Sequence, residues 1–314
     1  MDEAWLATLQ LFATATANVA LALMAGSFSA LGMLRGAASD WGRDRSASVR
    51  RIATGAVAAC LAANLFGLWI LTAVMSEQPM LASLSSLGTV LMGSHAGHAA
   101  AVGCVVLMGL FLYLLLERGS SRRGAVVYVG AACAAIFAMS RAWVSHAGAT
   151  GTLLPVAADW LHLMSASTWA GLVMISAIDT LRRSKPEGLL ARTDCKSFVA
   201  NVSAIATAML IGVVVTGAFS SWRALGGSLT PLATSSYGLI LLVKLAGVGM
   251  ATALGARNRF VVMPRLFAAV RSDGSSFPAA LRQFTRVLGV ESVVLFGVLG
   301  LAAALSTGSP PAAP

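Results

Sequence analysis

The 314-residue chain is 57% hydrophobic and only 11% charged, with a mean hydropathy of +0.80, which excludes an ordinary soluble domain. Its net charge of +10 is compatible with nucleic-acid binding, but the basic residues fall mainly in short loops between apolar stretches. That pattern is typical of membrane topology, so no nucleic-acid partner is expected.

Eight apolar stretches are long enough to cross a membrane as helices, since a hydrocarbon core of about 30 Å needs about 20 apolar residues. In chain order they lie at residues 9–34, 53–75, 98–117, 124–144, 156–179, 198–219, 237–254 and 288–306. The sequence therefore predicts an all-α, polytopic membrane bundle of eight transmembrane helices, which forms a single domain over residues 1–314.

Basic residues occupy alternate loops between these spans, and by the positive-inside rule these loops face the cytoplasm. They follow the first, third, fifth and seventh spans: Arg35, Arg43, Arg45, Arg50 and Arg51; Arg118, Arg122 and Arg123; Arg182, Arg183, Lys185, Arg192 and Lys196; Arg257, Arg259, Arg265, Arg271, Arg282 and Arg286. Both termini are therefore predicted to lie in the periplasm, with the chain in a bacterial inner (plasma) membrane.

The sequence also contains a weak internal similarity. Displacing the chain against itself by 141 residues aligns SHAG at 94–97 with SSYG at 235–238, at the entries to the third and seventh spans. A duplicated unit of four spans would have the same orientation in both copies. We therefore take two parallel four-helix repeats, residues 1–145 and 146–314, as a hypothesis.

The third and fourth predicted spans carry histidines on one side of the membrane. His95 and His98 introduce the third span, as i, i+3 neighbours, and His146 follows the fourth. Neutral imidazole is the commonest protein ligand for transition metals. We therefore predict a periplasmic metal entrance to which these three histidines contribute.

The fifth span combines an acid and an imidazole within an apolar helix. Asp159, His162, Ser165 and Trp169 follow one another at intervals of three, three and four residues and so share one face. That face is not expected to point at lipid, because buried charge is costly in a membrane. We predict that Asp159 and His162 form the deepest part of the metal entrance.

Soft sulfur donors lie below this entrance, among them Met24, Cys104, Met108, Met139 and Met164. Thioether and thiolate groups suit reduced copper, whereas imidazole and carboxylate also bind oxidised copper or zinc. We predict Cys104, Met139 and Met164 as inner metal ligands.

Lys244 lies seven residues into the seventh span, at a depth similar to that of Asp159 and His162. An ionisable residue inside a membrane is a functional-site hypothesis by default, and Asp159 is the predicted partner of Lys244. Such a charge pair could hold the site open or respond to an arriving cation.

Each of these residues also has a purely structural interpretation. His95, His98 and His146 could be ordinary loop or interfacial histidines, and His162 with Asp159 could form an interhelical hydrogen bond. The methionines could simply fill the core, and Lys244 could extend its amine toward the membrane surface. The functional interpretation depends on all four histidines lying on one side.

Three motifs together resemble the CopD family of copper resistance inner-membrane proteins: SHAG at 145–148, ADWLHLMSASTWAGLV at 158–173, and YGLILLVKLAGVGMATALGARNRFVVMPRL at 237–266. The chain differs in having Ala170 before Gly171, where a Gly-Gly pair is common. The resemblance implies copper movement across the inner membrane, often beside a periplasmic copper-binding protein of the CopC type. It points to His146, Asp159, His162 and Lys244.

The predicted function is therefore transport of copper ions, most simply from the periplasm to the cytoplasm, by a protein that is not an enzyme. The sequence contains no P-loop, so a gradient or mass action is the expected driving force. Two alternatives stay open: a redox protein in which two histidines on different helices, for example His98 and His162, ligate a b-type haem, and a scaffold that delivers copper to an oxidase without transporting it.

Overall fold

The structure is a computed structural model that describes residues 3–117, 123–145, 152–182, 186–271 and 276–311. These residues form helices and connecting loops and contain no strand. The α-helices are α1, Glu3–Leu34; α2, Asp40–Ser76; α3, Leu87–Gly93; α4, His95–Leu116; α5, Arg123–Trp143; α6, Leu153–Ile175; α7, Gly188–Ala224; α8, Thr230–Thr234; α9, Ser236–Arg257; α10, Met263–Arg271; and α11, Phe277–Thr307. A 3₁₀ helix, Ala82–Ser86, precedes α3, and π-helical segments, Ser176–Thr180 and Asn258–Val262, follow α6 and α9.

Eight of these helical stretches are long and apolar enough to cross a membrane, which confirms the predicted all-α bundle of eight spans. They are α1, α2, α4, α5, α6 with its π segment, α7, α9 continued into α10, and α11. Several begin well before the predicted apolar span. For example, α2 starts at Asp40 because Ser39 caps it, accepting a hydrogen bond from the Gly42 amide at 3.2 Å.

Helices α1 and α6 form the centre of the bundle. In their most apolar windows 72% and 67% of residues are buried, against 11% in the α9 stretch, which lies at the periphery. Where α1 and α6 cross, a methyl group on Gly26 would lie 2.6 Å from the Cα of Gly171. The two backbones are therefore in contact, as in other membrane helix pairs that meet through small residues.

Helices α4 and α9 are both 22 residues long, and the same local turn introduces each of them. Ser94 accepts a hydrogen bond from the Gly97 amide at 2.9 Å, and Ser235 accepts one from the Gly238 amide at 3.0 Å. Each serine hydroxyl also donates to a carbonyl of the preceding short helix, at 2.9 and 2.6 Å. A side chain on either glycine would collide with that helix. The aligned segments SHAG and SSYG are thus the same N-capping turn.

Polar side chains tie the helices together at the end of the bundle that carries the basic loops. Ser48 on α2 donates to Asp179 Oδ1 at 2.7 Å, and Arg45 Nη1 lies 3.6 Å from Asp179 Oδ2. Asp194 near the start of α7 accepts hydrogen bonds from the Ser39 amide and hydroxyl, at 2.9 and 2.6 Å. The predicted metal entrance lies at the opposite end.

Candidate functional site

The polar face of α6 points into the bundle, as its spacing predicted. His162 and Ser165 face α7 at positions where α7 has glycine: a Cβ on Gly217 would lie 3.1 Å from His162 Cε1, and one on Gly212 would lie 2.6 Å from Ser165 Oγ. One further turn along, Trp169 faces α11. The small residues of α7 therefore make room for the polar groups of α6.

The ring of His162 is oriented by Thr216 on α7. His162 Nδ1 lies 3.0 Å from Thr216 Oγ1, and that hydroxyl donates its own proton to the Gly212 carbonyl at 2.5 Å. A hydroxyl whose proton is engaged can only accept, so we assign the ring proton to Nδ1. In the neutral ring Nε2 is then the nitrogen with a lone pair, as in metal-binding histidines whose other nitrogen is held by a neighbour.

Ionisable side chains from two neighbouring helices, α5 and α9, lie around Asp159. Its carboxylate interacts electrostatically with Arg141 of α5 and with Lys244 and Tyr237 of α9. Lys244 also interacts electrostatically with the His162 ring. No N–O distance between Asp159 and these cations is within ion-pair range, since the pairs in the described residues are Arg43–Asp40 and Arg45–Asp179. The structure thus brings Asp159, His162 and Lys244 together without a direct Lys244–Asp159 contact.

Arg141 is a member of this group that the sequence interpretation missed. Its Nη2 donates to Asn18 Oδ1 of α1 at 2.8 Å, and Asn18 Nδ2 donates to the Leu299 carbonyl of α11 at 3.2 Å. The Arg141 Nη1 atom is buried and has no hydrogen-bond partner in the part of the chain that the structure describes. The signal was present in the sequence, because a charged residue within a predicted span is itself a functional-site indication.

His95 and His98 lie apart from His162. Both are exposed at the start of α4, and α4 packs on α2 and α5, with no substantial contact to α6 among the described residues. In the described part of the chain no three His, Cys, Asp or Glu side chains lie close enough to hold one metal ion. The expected meeting of these two histidines with His162 is therefore not present. His146 lies outside the described residues.

The predicted sulfur ligands are dispersed over several helices. Cys104 Sγ accepts a hydrogen bond from Asn64 Nδ2 at 3.1 Å, which joins α4 to α2. Met139 on α5 and Met164 on α6 are partly buried, and Met24 is fully buried in the core. Their role as ligands remains a prediction.

A second intramembrane acid, Glu291 on α11, was also missed. Glu291 is only 2% exposed, and its carboxylate faces the side chain of Trp169. On its other side lies Gly255 of α9, where a Cβ would come 3.5 Å from Glu291 Oε1. The polar face of α6 therefore leads from Asp159 and His162, near one membrane surface, to a buried carboxylate in the other half of the bundle.

This arrangement can bind a cation at two depths. The outer group combines an imidazole nitrogen and a carboxylate, which together suit a transition-metal ion. The nearby Lys244 and Arg141 can balance the charge of Asp159 when no cation is present. The inner group offers a single carboxylate.

The fold and this buried group of charges define a multi-pass helical membrane protein with ionisable residues inside its bundle. Residues 197–305 match the family model for copper resistance protein D, and residues 1–156 match that for the N-terminal domain of copper resistance protein D-like proteins. The chain belongs to the copper resistance protein D family.

The chain is similar to copper resistance protein D of Pseudomonas syringae pv. tomato, with 31% identity over 153 residues. This match covers 49% of the chain and 48% of the relative, so the chain aligns with about half the length of that protein. No solved structure matches the chain.

Proposed function

We propose that this protein transports copper ions across the bacterial inner membrane, from the periplasm to the cytoplasm, and acts as a transporter rather than an enzyme. The observation that carries the proposal is the orientation of His162, whose Nδ1 is held by Thr216, which leaves the Nε2 lone pair for a metal on the same helix face as Asp159, one turn away. Membership of the copper resistance protein D family supports copper as the cation.

The direction of entry follows from the proposed orientation. Basic residues are concentrated at one end of the bundle, in loops and in the adjoining ends of helices, and the positive-inside rule assigns that end to the cytoplasm. The group around His162 then opens toward the periplasm, where both termini would lie. His95, His98 and His146 would capture copper near the same surface, and a periplasmic copper-binding protein of the CopC type is a suitable donor.

The proposed path continues along α6. Copper that binds at His162 and Asp159 competes with Lys244 and Arg141 for the negative charge of Asp159. One carboxylate cannot balance the copper ion and both of these cations. The ion then moves inward past the face that ends at Trp169, with Glu291 as the inner carboxylate and Met139 and Met164 as sulfur ligands. Cys104 lies off this path, because α4 and α6 are not packing partners in the described residues. A gradient or mass action supplies the driving force.

We further propose that the bundle consists of two parallel four-helix repeats, residues 1–145 and 146–314. The shared capping turn before α4 and α9 and the equal length of these helices support this. In such a duplication the polar groups differ between copies: His95 and His98 in the first correspond in place to Ser236 and Leu239 in the second. The two halves would therefore share a fold but not a site.

The haem alternative receives no support from the helix arrangement. His98 is exposed on α4, and α4 and α6 are not packing partners in the described residues, whereas two axial haem ligands must face each other across one ring. The scaffold alternative differs from transport only in whether copper crosses the membrane, so it is decided by experiment.

The test is copper uptake by cells that express the wild type, His162→Ala or an empty vector at matched levels. The control is Leu161→Ala, because Leu161 lies beside His162 in the chain but is 47% exposed on the outer surface of α6. We expect cell-associated copper to rise with the wild type and the control, and to remain at the vector level with His162→Ala.

Equal uptake by His162→Ala and the wild type would reject His162 as part of the entrance. A fall in copper with the wild type would reject import in favour of export. Copper bound by the purified wild type without any change in cells would support the scaffold alternative.

A further inference from the structure

A cleft lies between the end of α9 and the first half of α11, away from the copper site. Its volume is about 550 Å³. The lining residues are Leu254, Arg257, Ala279, Arg282, Gln283, Arg286, Val287 and Val290. None of them takes part in the proposed copper path.

The wall formed by α11 changes from basic to apolar along the helix. The lining positions of α11 follow i, i+3, i+4, i+7 spacing, so they form one stripe. Within that stripe Arg282, Arg286 and Val290 are four residues apart and lie one above another. Val290 is 54% exposed, which leaves an apolar surface uncovered at the inner end of the stripe.

The wall formed by α9 likewise changes from basic at the membrane surface to apolar toward the membrane interior. Arg257 is the last residue of α9, and Leu254 lies one turn earlier. The contact between Gly255 and Glu291 sets the relative level of the two helices, so Leu254 lies near the level of Val290. Both walls are therefore basic at the membrane surface and apolar toward the membrane interior.

Among the described residues, the arginines of the cleft have no acidic partner. The ion pairs in the described residues are Arg43–Asp40 and Arg45–Asp179, and neither involves the cleft. All three cleft arginines are exposed. Guanidinium groups bind phosphate oxygens in bidentate geometry, so an anionic phosphate matches the outer part of the cleft.

We propose that this cleft binds an anionic phospholipid from the membrane leaflet on the side of the basic loops. Its phosphate lies among Arg257, Arg282 and Arg286, and its acyl chains follow the apolar wall. A free phosphate ion would use only the arginines, whereas a lipid also covers Val287 and Val290. The lipid would join α9 to α11 next to Glu291. This inference does not depend on copper transport.

The experiment measures lipid binding to the purified full-length protein in neutral detergent by native mass spectrometry. Phosphatidylglycerol is compared with phosphatidylcholine of the same acyl chains, and inorganic phosphate is added as a competitor. The cleft variant is Arg282→Gln with Arg286→Gln. Its matched control is Arg43→Gln with Arg51→Gln, which removes the same charge at the same end of the bundle but outside the cleft.

We expect the wild type and the control to bind phosphatidylglycerol in preference to phosphatidylcholine. The cleft variant should bind phosphatidylglycerol about 30-fold more weakly, since each arginine contributes about 1 kcal/mol near an anionic surface. A second variant, Val290→Trp, fills the apolar part and keeps all three arginines. It should weaken lipid binding too.

Equal phosphatidylglycerol binding by the cleft variant and the control would overturn the proposal. Equal binding of both lipids by the wild type would also overturn it. Complete displacement of the lipid by millimolar phosphate, with no effect of Val290→Trp, would show a free-anion site instead of a lipid site.

Discussion

At the scale of single residues, the candidate entrance depends on how a neighbouring hydroxyl holds His162. Thr216 keeps the proton of the ring on Nδ1, because its own proton is engaged by the Gly212 carbonyl. Partners that orient a ligating histidine in this way affect metal affinity without touching the metal.

Replacing Thr216 by valine tests this role, because valine has nearly the same shape but no hydroxyl. We expect Thr216→Val to weaken copper binding about 10- to 100-fold, as measured by copper titration of the purified protein. Thr193→Val is the control, since Thr193 lies on the same helix and its hydroxyl donates to a carbonyl of its own helix, that of Leu189. Unchanged affinity in Thr216→Val would contradict the assigned orientation.

The second prediction at the scale of single residues concerns the role of Glu291 in copper uptake. Glu291→Gln removes the charge but leaves an oxygen that can accept from Trp169, so the helix packing should persist. We expect this variant to bind copper at the outer site as the wild type does and to lose most copper uptake. Glu187→Gln, in an exposed loop, should transport normally. Full uptake by Glu291→Gln would remove Glu291 from the path.

At the scale of helices, the close crossing of α1 and α6 holds the centre of the bundle. Gly171 has no space for a side chain, because its Cα faces the backbone of α1 around Ala22 and Gly26. In the motif that Gly171 belongs to, Ala170 stands where glycine is common, and it fits here because it is 2% exposed within the core. At Gly171 the neighbouring backbone leaves no room for even a methyl group.

Gly171→Val should therefore separate α1 from α6. We expect a loss of about 3 kcal/mol in the free energy of unfolding, at the upper end of typical overpacking costs. The measurement is denaturant unfolding in detergent, with Gly109→Val as the control because Gly109 has open space around its Cα. Equal stability of the two variants would contradict the importance of this crossing.

At the scale of the whole molecule, orientation in the membrane decides the direction of transport. The arginine-bearing loops and the group around His162 lie at opposite ends of the bundle, so labelling one end identifies the other. The four natural cysteines, of which Cys60 and Cys195 are buried, are first replaced by alanine.

In that background, a cysteine in place of His95 should react with an impermeant maleimide from the periplasm only, and one in place of Arg51 should not. Both positions are exposed, so the difference in reaction reports the membrane side. His146→Cys offers a further periplasmic test. The reverse pattern of labelling would invert the topology and the proposed direction of entry.

The sequence by itself determined the number of spans, the polar face of α6 and the common turn before α4 and α9. Apolar length, helical spacing and serine capping are local properties of the chain. Only the tertiary structure decided the lateral order of the helices, because lipid-facing and protein-facing side chains are both apolar and carry little information about which helices meet. That order separates His95 and His98 from His162, places Thr216 and Arg141 beside the site, and joins Trp169 to Glu291.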